Sequence, residues 1–281
     1  MPGKIDLHLH TTASDGSDTP RELLLRLRAA GIETFAVTDH DTVAGAREMA
    51  GLPLEGLRFI PGIEFSCFTA AGKCHILGYG CDFEDAAFGA VIEAGRARRQ
   101  EKLARRLEYL RERWGIALTG DELAWLNAQS SPGKPHFGRI LMARGLADSV
   151  SAAVERYFGG LKEAQDRIPA GQALAAIRHA GGVGVWAHPL GGEGEPRLST
   201  EGMLRQLDAL LGFGLRGMEC CYSRYGAAET ALLRATAADN GLLVSGGSDY
   251  HGANKKGIAL GQLNTENTEV GEDVLTVLDA L

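Results

Sequence analysis

Apolar positions along the chain fall into two alternating rhythms, and the alternation predicts an α/β protein. Short apolar or period-two runs predict strands at 5–9, 32–39, 57–68, 73–80, 182–189, 215–224 and 242–251. Runs with helical spacing predict helices over 20–31, 43–51, 170–181, 201–212, 227–241 and 272–281. Asp18 or Thr19 caps the first helix, with Pro20 at its first position and Gly31 as its stop, and Asp41 or Thr42 caps the second. Strand, helix and strand again is the order of a parallel sheet wrapped by helices. A chain of 281 residues has room for one such α/β barrel and a modest insertion.

From Asp85 the rhythm changes. One long helix is predicted over 83–115, followed by shorter helices at 121–129, 137–145 and 151–160, with no strand signal among them. The expected organisation is therefore a first barrel part at 1–99, a small all-helical insertion at 100–167 and a second barrel part at 168–281. Between Arg96 and Arg113 the long helix carries eight Lys or Arg against three Glu. Such a surplus is either a solvated face, or it brings Arg99 and Lys102, three apart and on one side, to an anion. Within the insertion the Gly- and Pro-rich turn SSPGKPHFG presents Lys134 and His136, with Arg139 on the next helix.

Composition narrows the partners. Hydrophobic residues at 44% and charged residues at 23% are those of a soluble enzyme, and a net charge of −7 argues against a protein that coats nucleic acid or an anionic membrane. The first residues lack the pattern of a secretory leader, and no apolar run reaches the length of a membrane span. The five cysteines are odd in number, with Cys220 and Cys221 adjacent, so they are expected as small buried hydrophobes rather than a disulfide framework. A cytoplasmic protein without membrane or stable nucleic-acid partners is the expectation.

The chemistry sits at the strand ends. On the first strand Asp6, His8 and His10 alternate with apolar residues, so both imidazoles share one face, and the loop beyond offers Asp15. The second strand ends in Asp39, His40 and Asp41. Glu64 lies in an otherwise apolar strand, where a carboxylate is costly unless paired or bound to a cation, and His75 on the next strand is its expected partner. His188 precedes Pro189 at a later strand end, Tyr222 and Arg224 follow at another, and Asp249 and His251 close the last. His179, near a helix C-terminus, complements the dipole and is structural. Strand ends on one rim converge in space. Six imidazoles with Asp15, Glu64 and Asp249, and no cysteine, suit Mn, Fe or Zn, and nine ligands are too many for one ion.

These residues resemble the motifs of the polymerase and histidinol phosphatase (PHP) superfamily: DLHLHTTASDG, TDHDT, the WAHP strand end and the GSDYH strand end. The resemblance covers both flanks of the insertion. It implies a distorted (β/α)7 barrel of the PHP type and a site of three divalent metal ions, Mn first, with Fe or Zn as alternatives. By position it assigns His8, His10 and Asp249 to one ion, Glu64 as a bridge to a second held by His75 and His188, and Asp15, His40 and His251 to a third. Many members carry His where this chain has Asp15, which leaves the third ion's identity open. Asp39 is expected to orient an imidazole.

The insertion resembles that of small bacterial PHP proteins acting on nucleotides, which implies a phosphomonoesterase releasing the 3'-phosphate of nucleoside 3',5'-bisphosphates. In that reading a metal-bridging hydroxide is the nucleophile, and Asp15, His40, Glu64 and His188 form the catalytic set. Arg99, Lys102, Lys134 and Arg224 would hold the second phosphate, and His136 or Tyr222 would meet the sugar or base. Asp15, Asp41 and a bound water all remain open as the proton donor to the leaving oxygen. The alternatives are a 5'-to-3' exoribonuclease on short 5'-phosphorylated RNA ends and a metal-dependent amidohydrolase. No bridging lysine at a strand end supports the last.

Overall fold

The computed structural model describes residues 4–127, 132–162, 167–192 and 196–281. Two compact units divide the chain, one of residues 1–92 and 168–281, the other of Glu93–Arg167.

The first unit is a nearly closed barrel. Strands β1 (Lys4–Leu9), β2 (Ile32–Val37) and β3 (Arg58–Thr69) are parallel neighbours. Helices α1 (Pro20–Ala30) and α2 (Ala44–Ala50) connect them. Of the two candidate caps for α1, the residue in place is Thr19: its hydroxyl accepts from Glu22 N and the Glu22 carboxylate accepts from Thr19 N, a reciprocal capping box. The α2 cap is Val43, without a side-chain bond, and Thr42 only accepts from Ala44 N at 3.2 Å.

The sheet is not all parallel. Strand β4 (Gly72–Tyr79) follows β3 through a tight turn and pairs with it antiparallel, Thr69 opposite Gly72 and Ser66 opposite His75. No helix stands between the two strands, and a connection this short can only reverse the chain. Strand β6 (Val183–Ala187) then pairs antiparallel with β4, His75 opposite Ala187. His75 therefore reaches the rim from the first half of its strand and not from a carboxyl end.

The two-residue strand β5 (Ile168–Pro169) pairs with β3, and α7 (Ala170–His179) leads from it into β6. Parallel order resumes through α8 (Thr200–Leu211), β7 (Gly217–Tyr222), α9 (Ala227–Asp239) and β8 (Leu243–Gly247). The ring closes where Leu9 bridges Tyr250 and Asp249 N donates to His8 O at 2.9 Å.

Where one last helix is expected, the chain forms two 3-10 helices, Glu272–Val274 and Thr276–Ala280. The Thr276 hydroxyl accepts from Val244 N beside β8 and the Leu278 carbonyl accepts from Arg58, while Leu275, Val277 and Leu278 are buried.

The second unit comprises most of the long helix α3 (Ala86–Trp114), together with α4 (Gly120–Asn127), α5 (Lys134–Ala143) and α6 (Val150–Phe158). Its apolar cluster includes Leu110, Leu126, Phe137, Leu141 and Phe158. The five cysteines are buried, and burial pushes the Cys81 and Cys221 thiols up to about 12 and 11. No helix among the described residues is long and apolar enough to cross a membrane.

Candidate metal centre

Glu64, fully buried on β3, is the centre of the cluster. Its Oε2 lies 3.3 Å from His8 Nε2, 3.2 Å from His10 Nε2 and 3.0 Å from His40 Nδ1. Its Oε1 lies 3.1 Å from both His75 Nδ1 and His188 Nε2. One carboxylate thus divides five imidazoles between its two oxygens, three and two. Asp249 Oδ1 sits 3.6 Å from His8 Nε2, 3.4 Å from His10 Nε2 and 3.4 Å from His251 Nδ1. Asp15 Oδ1 is 3.0 Å from His251 Nε2 and 3.6 Å from His10 Nδ1, and its Oδ2 is 3.9 Å from His40 Nε2. The nine residues named from the strand ends therefore lie together.

Three ligand groups can be drawn, each with atoms within 4.8 Å of one another: His8 with His10 and Asp249; His40 with Glu64 and His75; and His10 with Asp15, His40 and His251. His10 and His40 each belong to two groups, so the groups adjoin. In the second, His40 stands where His188 was expected, although His188 Nε2 remains within 3.3 Å of His75 Nδ1.

The donor chemistry fits divalent cations. His8 Nε2, His10 Nε2, His40 Nδ1, Glu64 Oε2 and His251 Nε2 are buried without a hydrogen bond. Buried polar atoms are rarely left so. The far sides of the rings are engaged: His8 Nδ1 meets Glu219 Oε1 at 2.8 Å and His251 Nδ1 meets the Asp249 carbonyl at 2.8 Å. A proton on each Nδ1 leaves the Nε2 lone pair facing the cluster, as a metal ligand requires. Burial, then neighbouring His10, holds His251 down to about 4, so it is neutral at pH 7.

Local backbone strain marks the same place. Asp41, His188 and Asp249 have φ of 51°, 31° and 59°, a left-handed conformation costing roughly 1–3 kcal/mol at each non-glycine residue. Each is pinned through its N–H: Asp41 to Glu64 O at 2.9 Å, His188 to Glu219 Oε2 at 2.7 Å, and Asp249 to His8 O at 2.9 Å. Gly247 allows β8 to pass, since a Cβ there would lie 2.2 Å from His8 Cβ.

Burial opposes charge on His40, but Glu64 and Asp15 outweigh it and raise its pKa to about 9. A metal displaces that proton. Burial opposes charge on His8 too, yet Glu219 and Glu64 raise its pKa, so the affinity of the metal-free protein for Mn is expected to rise by at least about tenfold per pH unit from pH 6 to 8, the proton of His40 alone setting that minimum. Calorimetric titration in buffers of different ionisation heat measures it, and a flat profile would show that His40 gives up no proton.

Several expected roles fall elsewhere. Asp39 accepts from Thr11 N, Thr11 Oγ1 and Ser14 Oγ at 2.6–2.7 Å, so it fixes the loop after β1, and only Ser14, 3.3 Å from His10 Nδ1, passes its influence to an imidazole. Tyr222 is fully buried, and its hydroxyl donates to Asp249 Oδ2 at 2.9 Å, which places it behind a proposed ligand. His136 is no loop residue: Lys134 opens α5, and His136 Nδ1 accepts from Gly133 N at 2.9 Å, capping that helix beside the Trp125 ring. Ser130 and Ser131 of that turn lie outside the described residues.

Arg99, Lys102 and Lys134 are half-buried in the helical unit, and Arg224 is exposed in the barrel unit after β7. Arg106 of the cationic run is buried and bonds Pro132 O. His179 pairs with Asp85 at 2.7 Å.

Two residues escaped the sequence reading. Glu219, fully buried on β7, ties the His8 ring to the His188 backbone. Lys255 holds Asp249 Oδ2 at 2.7 Å, leaving Oδ1 to face the imidazoles. A carboxylate in the apolar run MECCY was the available signal for Glu219; none marked Lys255.

The PHP domain model matches residues 6–115. A 5'-3' exoribonuclease, Rnm, of Escherichia coli is 32% identical over 257 residues, covering 88% of this chain and 84% of that protein. The chain belongs to the PHP domain family. A 3',5'-nucleoside bisphosphate phosphatase of Chromobacterium violaceum is 29% identical over 262 residues, with 92% of this chain and 90% of that one covered. A crystal structure from Bifidobacterium adolescentis, described as a metal-dependent phosphoesterase, superposes with a TM-score of 0.77 at 29% identity, covering 100% of this chain and 98% of that one. This PHP protein is a hydrolase of phosphate esters, and its His, Asp and Glu cluster has the donors to hold divalent metal.

Proposed function

We propose that this PHP protein removes the 3'-phosphate of nucleoside 3',5'-bisphosphates, giving the nucleoside 5'-monophosphate and phosphate. The observation that carries a phosphoesterase reading is Glu64, shared by five imidazoles within 3.3 Å. A carboxylate so placed, with the adjoining groups on either side, would hold up to three divalent ions, with Mn as the first candidate. Divalent ions held there supply an activated water and a counter-charge for the developing phosphate anion. The chain's own part is to fix that cluster. Glu219 and the Asp249 carbonyl hold two imidazoles in register, and Lys255 with Tyr222 leaves Asp249 one oxygen for binding. Asp15, 42% exposed at its side chain, is the most open carboxylate of the set; burial opposes its charge, yet the imidazole of His40, then that of His251, holds its carboxyl well below the usual carboxylate range, which suits a ligand and leaves Asp41 or a bound water to protonate the leaving oxygen.

The bisphosphate substrate is supported by the name of the Chromobacterium violaceum relative; the exoribonuclease name of the Escherichia coli relative supports the rival. Phosphate release by Mn-loaded protein from adenosine 3',5'-bisphosphate, compared with 3'-AMP, 5'-AMP and a 5'-phosphorylated dinucleotide, separates them. Fast release from the bisphosphate alone is expected. Nucleotide production from the dinucleotide at an equal or greater rate would make the protein an exonuclease. For the second phosphate the proposal keeps Arg99, Lys102, Lys134 and Arg224. Lys134→Ala should raise KM for the bisphosphate by roughly tenfold, the scale of one charge-assisted contact, and hardly change it for 3'-AMP. Equal effects on both would remove Lys134 from the reading.

A further inference from the structure

Beside the ligand cluster lies a cavity of about 240 Å³ whose described lining residues all belong to the barrel unit. His75 and His188 line it, and both also touch Glu64 Oε1, so whatever fills the cavity sits next to the proposed reacting phosphate. Trp186, Pro189, Pro196 and Leu198 supply apolar lining. Proline rings carry no N–H, and a phosphate laid against such walls would lose its hydration without gaining donors. The walls favour an apolar, flat group.

Size limits the occupant. Pockets for drug-sized ligands span roughly 300–1,000 Å³, so this one takes a single ring system with part of a sugar and not two stacked nucleotides. The wall is also set in advance. Gly191 has φ +99, a conformation that strains other residues, and a Cβ there would lie 2.8 Å from the Pro196 carbonyl. Across the fold-back Leu198 N donates to Leu190 O at 3.1 Å, and the Tyr225 hydroxyl accepts from Leu190 N at 2.8 Å. Lys73, exposed, is the one ammonium among the described lining residues and stands at the edge of the cavity's apolar walls.

We infer that this cavity receives the nucleobase of the substrate, so that recognition extends from the scissile phosphate to the base. The inference rests on the phosphoesterase reading above and deepens it: the site selects base-bearing nucleotides over base-free sugar phosphates. Stacking and burial of one base, on the scale of single base–aromatic contacts, amount to about tenfold in binding.

The test compares adenosine 3',5'-bisphosphate with its base-free analogue, 1-deoxyribose 3,5-bisphosphate, as substrates of the Mn-loaded protein and of Leu198→Asp and Leu198→Trp. Leu198 is 38% exposed, so neither change opens the core, and the tryptophan fills the cavity where the aspartate charges it. The parent should prefer the base-bearing substrate. Both variants should lose about tenfold of that preference in kcat/KM, carried by KM. An unchanged ratio in both overturns the subsite. Should no bisphosphate be turned over, the functional reading fails while the cavity remains testable alone. Light-activated 8-azidoadenosine 5'-monophosphate, mapped on the full chain by mass spectrometry, should label the 186–198 stretch, and labelling only elsewhere would overturn the inference.

Discussion

Glu64→Gln is expected to lower kcat/KM on the order of 10³-fold or more, because it removes the carboxylate that five imidazoles share. Divalent ions counted after dialysis should fall with it. The same substitution reports on the metal-free protein. There Glu64 lies against the imidazoles of His8 and His40, whose pKa values stay raised although burial opposes their charge. Removing one partner of a buried ion pair leaves the other uncompensated, at a cost of about 3–5 kcal/mol.

The sign of the pH dependence follows from both partners. Burial opposes the charge of Glu64 too, yet the surrounding imidazoles, His40 first, hold its pKa well below 4.5, so its contribution is present above that value and lost as the acid form returns. His40 is raised from 6.5 to about 9, so its contribution is complete below 6.5 and lost as pH rises through 9. The gap in thermal stability between parent and variant should thus be widest at about pH 5–6.5 and narrow towards pH 9. A gap that widens with pH would mean that the imidazoles are neutral in the metal-free protein.

Glu219→Gln is nearly isosteric and touches no proposed substrate, yet divalent affinity is expected to drop by about 10–100-fold, as when an imidazole loses its orienting carboxylate. Glu219 accepts from the His8 ring and from His188 N at once. Glutamine has one carbonyl oxygen for these two donors. If that oxygen keeps the His188 N–H, its amide nitrogen donates to His8 Nδ1 and drives the ring proton to Nε2, where it blocks the lone pair facing Asp249 and Glu64. Activity should be lost at low Mn and largely recovered at saturating Mn. A loss that added metal does not relieve would place the fault in the fold and not in the tautomer.

The sequence made most of the clustered residues legible because they stand beside strong local patterns. His8 and His10 alternate along a strand, His40 and His188 follow apolar runs, and Asp249 and His251 flank a turn. Glu64 stood out by its cost in an apolar setting, a cost that applies equally to Glu219. What was not legible depends on pairing. Strands β3 and β4, joined by a tight turn, form a hairpin, and only the register that sets Ser66 against His75 shows that this histidine arrives from an antiparallel strand. Tyr222 follows an apolar strand as the histidines do, and its burial behind Asp249 is a tertiary fact. His136 sits in a turn-rich sequence, but Pro135 is acceptable in the first turn of a helix, which is where α5 uses it. At the C-terminus, apolar spacing suggested a helix that docking against β8 breaks into 3-10 turns.

The seam of the barrel has a consequence for how the enzyme is made. His8 lies on the first strand and Asp249 just after the last, joined across the closing edge through Asp249 N and His8 O. During synthesis the early ligands His8, His10, His40, Glu64 and His75 leave the ribosome more than 170 residues before Asp249 does. Until β8 arrives, the N-terminal segment holds four of the six imidazoles with Asp15 and Glu64 and lacks Asp249 and His251. Divalent ions held by the whole cluster would therefore latch the first strand of the barrel to the last, and loading would be complete only at the last step of folding.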